Sequence, residues 1–326
     1  MKICIYGAGA IGGFIGTRLA AAGGHVSAIA RGATAQSLRK HGWRLESGGA
    51  LTTAPARVAE SPAELGVQDL VVIAVKSPAL ASIARSIAPL LGPGTTVVTA
   101  MNGVPWWFFN GFGGKCEGMQ FKSIDPDGHI AAAIPARHVI GCVVHAACTT
   151  PEPGLTRNVI GKRLILGEPG GGSSPRLSTL GELFRNAGFE VDLSEHIQRD
   201  IWYKLWGNMT MNPVSALTGA TADLVLDDAL VNSFCMTVMG EAQAIGAQIG
   251  CAIAESAEQR HLVTRKLGAF KTSMLQDVEA GRPVEIDVLL SAPREIGAAL
   301  GLSTPYMDAL LGLARLQARV RGLYPR

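Results

Sequence analysis

A glycine-rich turn near the start of the chain has the spacing of a phosphate-binding loop. Residues 2–6 predict a β-strand that runs directly into the pattern GxGxxG, and residues 14–22 predict a helix. The first glycine permits a tight turn, the second lets the backbone approach a pyrophosphate, and the third lets the helix pack closely on the strand. The N-terminal amides of the helix then point at the phosphates. The predicted cofactor-binding turn consists of Gly7, Ala8, Gly9, Ala10, Ile11 and Gly12.

Arg31 stands where the second predicted strand, residues 25–30, ends. Proteins that bind NAD(H) usually carry an acid here, which accepts a hydrogen bond from the ribose 2′-hydroxyl. A guanidinium cannot accept that bond but can clamp a 2′-phosphate, and the next acid is Glu46. The sequence therefore favours NADP(H); the alternative is an arginine in a solvated loop. Lys76, which ends the strand predicted over residues 70–75, is a second cation expected at the same sheet edge.

A second group of polar residues repeats at every fourth position of a predicted helix. Lys204, Asn208 and Asn212 lie on one face, about 40° apart per step, on a helix that also carries Trp202 and Trp206. This pattern predicts a site, and the alternative is a polar stripe at a helix end. Asn208 lies roughly 6 Å from Lys204 along the axis and Asn212 roughly 12 Å. A ligand only a few atoms long spans only the first pair, unless a kink at Pro213 brings Asn212 back.

A third group lies near the C-terminal end and contains Ser273, Glu285 and Asp287. Pro283 suits the first turn of a helix, whose dipole stabilises the carboxylates of Glu285 and Asp287 near its N-terminus. Ser273 suits a helix N-cap. Each of these residues, taken alone, is explained by helix structure.

The composition is that of a folded protein that binds a small molecule. The length of 326 residues suits two domains, and a hydrophobic content of 48% leaves enough apolar surface for their cores. A net charge of +3 without runs of like charge argues against a nucleic-acid partner. Six cysteines without CxxC or zinc spacing predict free thiols, no metal site and a cytoplasmic location. Residues 235–254 include Glu241 and several glycines, so we expect a buried or amphipathic helix and no membrane span.

The elements that must position these residues follow two patterns. Strands and helices alternate first, and the strands lie near residues 2–6, 25–30, 70–75, 95–100, 139–145, 164–167 and 189–193. The pair at 139–145 and 164–167 is expected to join the sheet antiparallel. Long helices then follow, at about residues 195–212, 213–219, 228–249, 255–267 and 284–317.

The predicted fold is α/β, with an N-terminal Rossmann-like doubly wound sheet and a C-terminal all-helical domain. We assign residues 1–193 to the NADP-binding domain and residues 194–326 to the substrate and catalytic domain, with the substrate in the cleft between them.

Four consecutive aromatic residues, at positions 106–109, precede a glycine-rich passage that ends at Gly118. This composition predicts a loop or lid over the site. A surface loop with an aromatic plug is the alternative.

Together these motifs resemble the ketopantoate reductase (2-dehydropantoate 2-reductase) family over essentially the whole chain. They occur in the family's order, which is the GxGxxG turn, Arg31, Val75-Lys76, Asn102-Gly103, the Lys204/Asn208/Asn212 helix, Ser273-Met274 and Glu285-Ile286-Asp287. The resemblance implies NADPH-dependent reduction of ketopantoate to pantoate by hydride transfer to the 2-keto carbon, a step of pantothenate biosynthesis.

The resemblance also implies residue roles. Lys204 is the general acid that protonates the carbonyl oxygen, and Glu285 binds the nascent hydroxyl. An ammonium suits the first role, because it neutralises the charge that grows on oxygen and supplies the proton. The implied substrate-binding residues are Asn102, Asn208, Asn212 and Ser273, and Asn102 is also assigned to the cofactor.

Two positions at which this sequence departs from the family pattern bear on which substrate the protein binds. Leu290-Ser291 stands where an Asn-Gly pair is common, and Tyr306-Met307 where an asparagine is common. Ketopantoate is the leading substrate, and a different 2-keto acid or an opine-like substrate on the same fold is the alternative. A non-catalytic NADP(H) sensor is disfavoured, because Lys204 and Glu285 are both present. A homodimer is compatible with the sequence.

Overall fold

A computed structural model describes residues 1–325, and in it the chain divides into two compact units. Unit 1 comprises Met1–Met101 and Gly128–Ile197, and unit 2 comprises Asn102–Asp127 and the described residues from Gln198 onward. The division predicted at residues 193/194 differs from this one, because it assigned residues 102–127 to the N-terminal domain. Those residues group with unit 2, where their aromatic side chains are buried.

Unit 1 is built on one ten-stranded sheet. Its strands are β1 Lys2–Tyr6, β2 His25–Ile29, β3 Trp43–Ser47, β4 Ala50–Ala54, β5 Arg57–Ala59, β6 Leu70–Ile73, β7 Thr96–Thr99, β8 Val139–Glu152, β9 Leu155–Gly167 and β10 Glu190–Leu193. Its helices are α1 Ala10–Ala21, α2 Gly32–His41, α3 Leu80–Ala84, α4 His129–Ala133 and α5 Pro175–Asn186, with 3-10 turns at Pro62–Glu64, Ser77–Ala79, Ala88–Leu90 and Ala136–His138.

The sheet has the order β4-β3-β9-β8-β7-β6-β1-β2-β5, with β10 beside β9. Six adjacent strands, β5-β2-β1-β6-β7-β8, are all parallel and have the doubly wound order. Parallel strands are covered on both faces and read as continuous apolar runs, and the four residues of β6 are accordingly 0% exposed. The predicted Rossmann-like sheet is confirmed.

The other edge of the sheet is antiparallel and was only partly predicted. β8 and β9 form a long antiparallel pair, but β8 runs parallel to β7, so the antiparallel expectation holds for one side of β8 only. The sequence missed β3, β4 and β5. β3 pairs antiparallel with β4 and parallel with β9.

Small residues let α1 lie close to the sheet. A Cβ atom on Gly16 would lie 2.6 Å from the Trp43 ring, and one on Gly13 would lie 2.0 Å from the Thr156 hydroxyl oxygen. No larger side chain fits at either position without displacing the helix. The two glycines therefore set the distance between α1 and the strands.

Unit 2 is helical, and its described residues contain no strand. Its helices are α6 Ile197–Thr218, α7 Ala222–Asp227, α8 Ala229–Gln248, α9 Ala257–Arg265, α10 Ser273–Glu279, α11 Ala292–Ala299 and α12 Pro305–Val320, with a π-helical turn at Asp287–Ser291. None of the helices within residues 1–325 is long and apolar enough to cross a membrane.

Two predicted helix limits were wrong. The expected break before Pro213 does not occur, and α6 continues through it to Thr218. The helix expected over residues 284–317 is instead the π-helical turn, α11 and α12. Gly301, with φ +69, ends α11 in a left-handed conformation, and Pro305 occupies the first position of α12.

The aromatic residues 106–109 are core and not a lid, so that prediction was wrong. Their exposure is 5% for Trp106, 1% for Trp107, 0% for Phe108 and 1% for Phe109. The buried side chain of Gln198 donates to the Phe108 carbonyl at 3.1 Å. The glycine-rich passage is a surface feature, but the four residues before it fill the centre of unit 2.

All six cysteines are free within the described chain. Burial raises the pKa of Cys4, Cys235 and Cys251 to about 12 and that of Cys148 to about 11. These thiols are therefore protonated at neutral pH.

We expect Phe108→Ala to lower the free energy of unfolding by about 3–5 kcal/mol, because it empties a fully buried site. Urea denaturation followed by circular dichroism measures this loss. The half-buried Phe112 of the same segment is the control, and its alanine variant should lose less. Equal and small losses for both variants would restore the lid interpretation.

Candidate active site

The three glycines of the first turn have separate roles in the structure. Gly7, with φ +98, ends β1 and donates its N–H to the Ile29 carbonyl at 3.2 Å. A Cβ on Gly12 would lie 1.8 Å from the Gly7 carbonyl oxygen, so that position excludes every side chain. Gly9 is the N-cap of α1, and a Cβ there meets no heavy atom within 4 Å. The open space over Gly9 and the first amides of α1 fit a dinucleotide pyrophosphate.

Two cations follow the two strands that flank β1, at the same edge of the sheet. β2 and β6 both pair parallel with β1, so their carboxyl ends lie beside the glycine turn. Arg31 follows β2, is exposed and precedes α2 as its N-cap. Lys76 follows β6, is half-buried and precedes the 3-10 turn Ser77–Ala79. The structure thus brings the turn, Arg31 and Lys76 together at one edge of unit 1.

The predicted substrate-side residues all belong to unit 2. Lys204 and Asn208 are half-buried on α6, and Asn212 on the same helix is 7% exposed. The side of α6 that carries Trp202 and Trp206 is buried, and the Trp206 indole donates to the Met239 carbonyl of α8 at 2.9 Å. This packing fixes the rotation of α6 about its axis. It therefore fixes the direction in which the lysine face points.

The continuous course of α6 separates Asn212 from the other two polar residues. With about 1.5 Å of rise per residue, Asn212 remains roughly 12 Å from Lys204 along the axis. The structure keeps Lys204 and Asn208 as neighbours one turn apart and places Asn212 two turns away.

The turn at Asn102 lies against the segment that follows Glu285. Gly103 has φ +75, and the Val104 N–H donates to the Val288 carbonyl at 2.8 Å. A Cβ on Gly103 would lie 2.4 Å from that same carbonyl oxygen. Asn102 and Glu285, which are 183 positions apart in the sequence (285 − 102), are thus carried by two packed backbone segments.

Asp287 has a structural role in the π-helical turn. Its carboxylate oxygen Oδ1 accepts from the Ser291 hydroxyl at 2.8 Å and from the Tyr324 hydroxyl at 2.6 Å. Burial, followed by the hydrogen bond to Asp287, raises the pKa of Tyr324, so this phenol stays a donor. Glu285 is half-buried immediately before the helical residues begin at Ile286.

Ser273 is not the helix cap that its type suggests. Thr272 is the N-cap of α10, and its hydroxyl accepts from the Leu275 N–H at 3.2 Å. Ser273 is the first residue of the helix and is exposed.

Arg260 of α9 is a residue that the sequence analysis missed. Its guanidinium lies on α6, since a Cβ on Gly207 would be 2.8 Å from Nη2 and 3.1 Å from Nε. The guanidinium carbon is 5.6 Å from the centre of the Tyr203 ring. Gly207 is the one sequence feature that could have indicated this contact. A glycine inside a helix costs stability, and it often marks a place where another group packs closely against the helix. A second positive charge therefore lies beside the helix that carries Lys204.

The sheet edge of unit 1 and the lysine face of unit 2 define a class. A Rossmann-type turn with cations beside it suits a dinucleotide, and lysine is one of the side chains that can act as a general acid. Such a protein is a dinucleotide-dependent oxidoreductase.

Comparisons with known proteins specify the family. The family model described as "Ketopantoate reductase PanE/ApbA" matches residues 3–107, and the model of the C-terminal part of the same family matches residues 196–318. The chain is 46% identical to the 2-dehydropantoate 2-reductase of Mesorhizobium japonicum, over 99% of this chain and 100% of that one. The chain belongs to the ketopantoate reductase family.

Solved structures agree with this assignment. A candidate ketopantoate reductase from Ralstonia solanacearum MolK2 is 59% identical, with a TM-score of 0.96 over 99% of both chains. A D-mandelate dehydrogenase solved with NADH and anilino(oxo)acetate is 21% identical, with a TM-score of 0.84 over 99% of this chain and 100% of that one. The second similarity shows the fold alone.

We expect Gly103→Ala to lower the free energy of unfolding by more than about 2 kcal/mol, because it adds a positive-φ penalty to a clash with Val288. Gly113→Ala is the matched control, since Gly113 has φ +81 but open space around its Cβ, and should cost only about 1 kcal/mol. Thermal unfolding compares the two variants. Equal losses would mean that the contact with Val288 contributes nothing.

Proposed function

We propose that this chain reduces 2-dehydropantoate to pantoate with NADPH. The observation that carries the proposal is the lysine face of α6, with Lys204 and Asn208 one turn apart, in a chain 46% identical over its full length to a 2-dehydropantoate 2-reductase. We place the reaction in pantothenate biosynthesis. We also place the protein in the cytoplasm, because its cysteines are free thiols, as is usual in a reducing compartment. We also infer a homodimer.

The preference for NADPH over NADH rests on Arg31. It occupies the position after β2 at which an acid would bind the ribose 2′-hydroxyl. Its exposed guanidinium suits a 2′-phosphate, and Lys76 adds positive charge at the same edge. When bound, the cofactor supplies the hydride for the 2-keto carbon.

Lys204 is proposed as the general acid. As negative charge grows on the carbonyl oxygen, its ammonium stabilises that charge and transfers the proton that makes the hydroxyl. Glu285 is proposed to accept the hydrogen bond of the new hydroxyl. Its carboxylate also favours the charged form of a neighbouring lysine.

Asn102, Asn208 and Ser273 are proposed to hold the rest of the substrate through their amides and hydroxyl. Asn212 was assigned to the same set, but a small keto acid bound at Lys204 does not reach two turns along α6. We therefore propose that Asn212 contacts the substrate only if the substrate is longer.

A different 2-keto acid is the second candidate, and the departures near the C-terminus favour it. Leu290 and Met307 are both 0% exposed, and Ser291 donates to Asp287. These side chains hold the turn and α12 in place and offer no amide where one is common in the family.

The deciding experiment follows the loss of reduced nicotinamide with ketopantoate, pyruvate and 2-ketoisovalerate, each with NADPH and with NADH. Efficient turnover of ketopantoate with NADPH alone supports the first candidate. Turnover of another keto acid in its place supports the second. No turnover of any of them, with NADPH still bound, contradicts both.

We expect Lys204→Ala to lower kcat by about 10²- to 10⁴-fold, because a general acid acts as charge develops, while the Kd for NADPH stays the same. Stopped-flow kinetics and fluorescence titration measure the two quantities. Lys115→Ala, which removes an exposed lysine bonded to Gln248, is the control and should leave both unchanged. A parallel loss of NADPH affinity in Lys204→Ala would assign the lysine to cofactor binding.

We expect Arg31→Ala to raise the Kd for NADPH about 10- to 100-fold and to leave the Kd for NADH unchanged, because only NADPH carries the 2′-phosphate. Calorimetric titration of both cofactors gives the ratio. Arg39→Ala is the matched control, since Arg39 lies near the end of the same helix and pairs with Glu60 at 2.8 Å. Equal weakening of both cofactors would reject the assignment of Arg31.

A further inference from the structure

Glu285 lies on a stretch of backbone that belongs to no helix or strand. Residues 282–285 have no regular secondary structure, and the π-helical turn begins two residues after Glu285, at Asp287. The backbone N–H and C=O groups of such a segment need partners elsewhere in the fold. The contacts on either side of Glu285 therefore determine where its carboxylate points.

The end of α12 supplies the contact before Glu285. Gly322, with φ +70, follows the helix in the left-handed conformation, and the Leu323 N–H donates to the Ala318 carbonyl at 2.8 Å. These are features of a Schellman motif, which ends a helix and turns the chain away from its axis. The carbonyl of the buried Leu323 then accepts from the Val284 N–H at 3.2 Å. The end of α12 thus holds the backbone one residue before Glu285.

Tyr324 supplies the contact after Glu285. Its hydroxyl donates to Asp287 Oδ1 at 2.6 Å. Its ring is half-buried, and the Arg319 guanidinium carbon lies 5.6 Å from the ring centre. Arg319 also donates to the Pro325 carbonyl at 3.0 Å, so one side chain of α12 contacts both residues. Because burial raises the pKa of Tyr324, the phenol remains a donor at neutral pH.

The two contacts lie on either side of Glu285 and come from consecutive residues, Leu323 and Tyr324. Asp287 Oδ1 also accepts from the Ser291 hydroxyl at 2.8 Å, so the phenol ties the first residue of the π-helical turn to the end of α12. The segment that carries Glu285 is therefore restrained at both ends by one short stretch of chain.

We propose that Tyr324 is a positioning residue, which acts through Asp287 to hold the carboxylate of Glu285 in the direction of the new hydroxyl. This inference rests on the function proposed above, in which Glu285 accepts the hydrogen bond of that hydroxyl. Residues that lock a site side chain in place let it act without rearrangement, and a misplacement of about 1 Å can lower a rate about 10²-fold.

A double-mutant cycle of Tyr324→Phe and Glu285→Gln tests the proposal. The readout is kcat/KM with NADPH and ketopantoate, or with pyruvate or 2-ketoisovalerate if the substrate panel selects one of them. Tyr324→Phe removes the hydroxyl and keeps the ring. We expect it to lower kcat/KM about 10- to 100-fold in the otherwise unchanged chain. In Glu285→Gln it should lower kcat/KM less than about 2-fold, because no carboxylate remains to be positioned. The Kd for NADPH should stay the same.

Gln317→Met is the matched control. Gln317 lies on the same helix, and its side-chain amide donates to the Ala216 carbonyl at 3.2 Å, so this variant also loses one hydrogen bond of α12. It should keep the kcat/KM of the wild type. Circular dichroism confirms folding, and thermal unfolding gives the stability that each variant loses.

The outcomes separate this inference from the proposed function on which it rests. An unchanged kcat/KM in Tyr324→Phe, or an equal loss with and without Glu285→Gln, overturns the role of Tyr324 and leaves that of Glu285 intact. A Glu285→Gln variant with the kcat/KM of the wild type instead refutes the proposed role of Glu285, and the inference with it.

Discussion

The burial of the aromatic segment at residues 106–109 is the constraint on which the helical unit depends. The Phe108 carbonyl accepts from Gln198 at the start of α6, and the Phe108 ring lies 6.2 Å from that of Trp202. Four residues earlier in the chain, the Val104 N–H donates a hydrogen bond to the Val288 carbonyl. One short stretch of chain thus ties the lysine helix, the Asn102 turn and the π-helical turn together. A buried polar group without its partner costs about 1–3 kcal/mol, so these bonds specify one arrangement.

Local sequence patterns correctly predicted the central parallel strands, which are flanked by other parallel strands. The strands at β1, β2, β6 and β7 were correctly placed, because a parallel strand covered on both faces is a continuous apolar run. β3 and β4 were missed because both are only five residues long and neither contains the continuous apolar run that identified the parallel strands. α6 passed through Pro213 because its other backbone bonds and its buried sides outweigh the one bond that proline removes.

The candidate site also contains features that local sequence spacing predicts and features that only tertiary contacts determine. The glycine turn, Arg31 and the lysine face were readable because each is set by spacing within one strand-helix unit or one helix. The approach of the Asn102 turn to the segment after Glu285 depends on Gly103 fitting against Val288, a contact that no local pattern contains. The aromatic segment was misread for a related reason. Its glycine-rich neighbours predict a loop, and only the tertiary fold shows which side of that loop is buried.

The burial of the cysteines has a practical consequence. A maleimide reacts with the thiolate, and the raised pKa values of Cys4, Cys148, Cys235 and Cys251 leave almost no thiolate at neutral pH. A cysteine introduced at an exposed position would have an ordinary pKa and open access. Spectroscopic probes can therefore be attached to a chosen surface site of either unit while these native thiols stay in place.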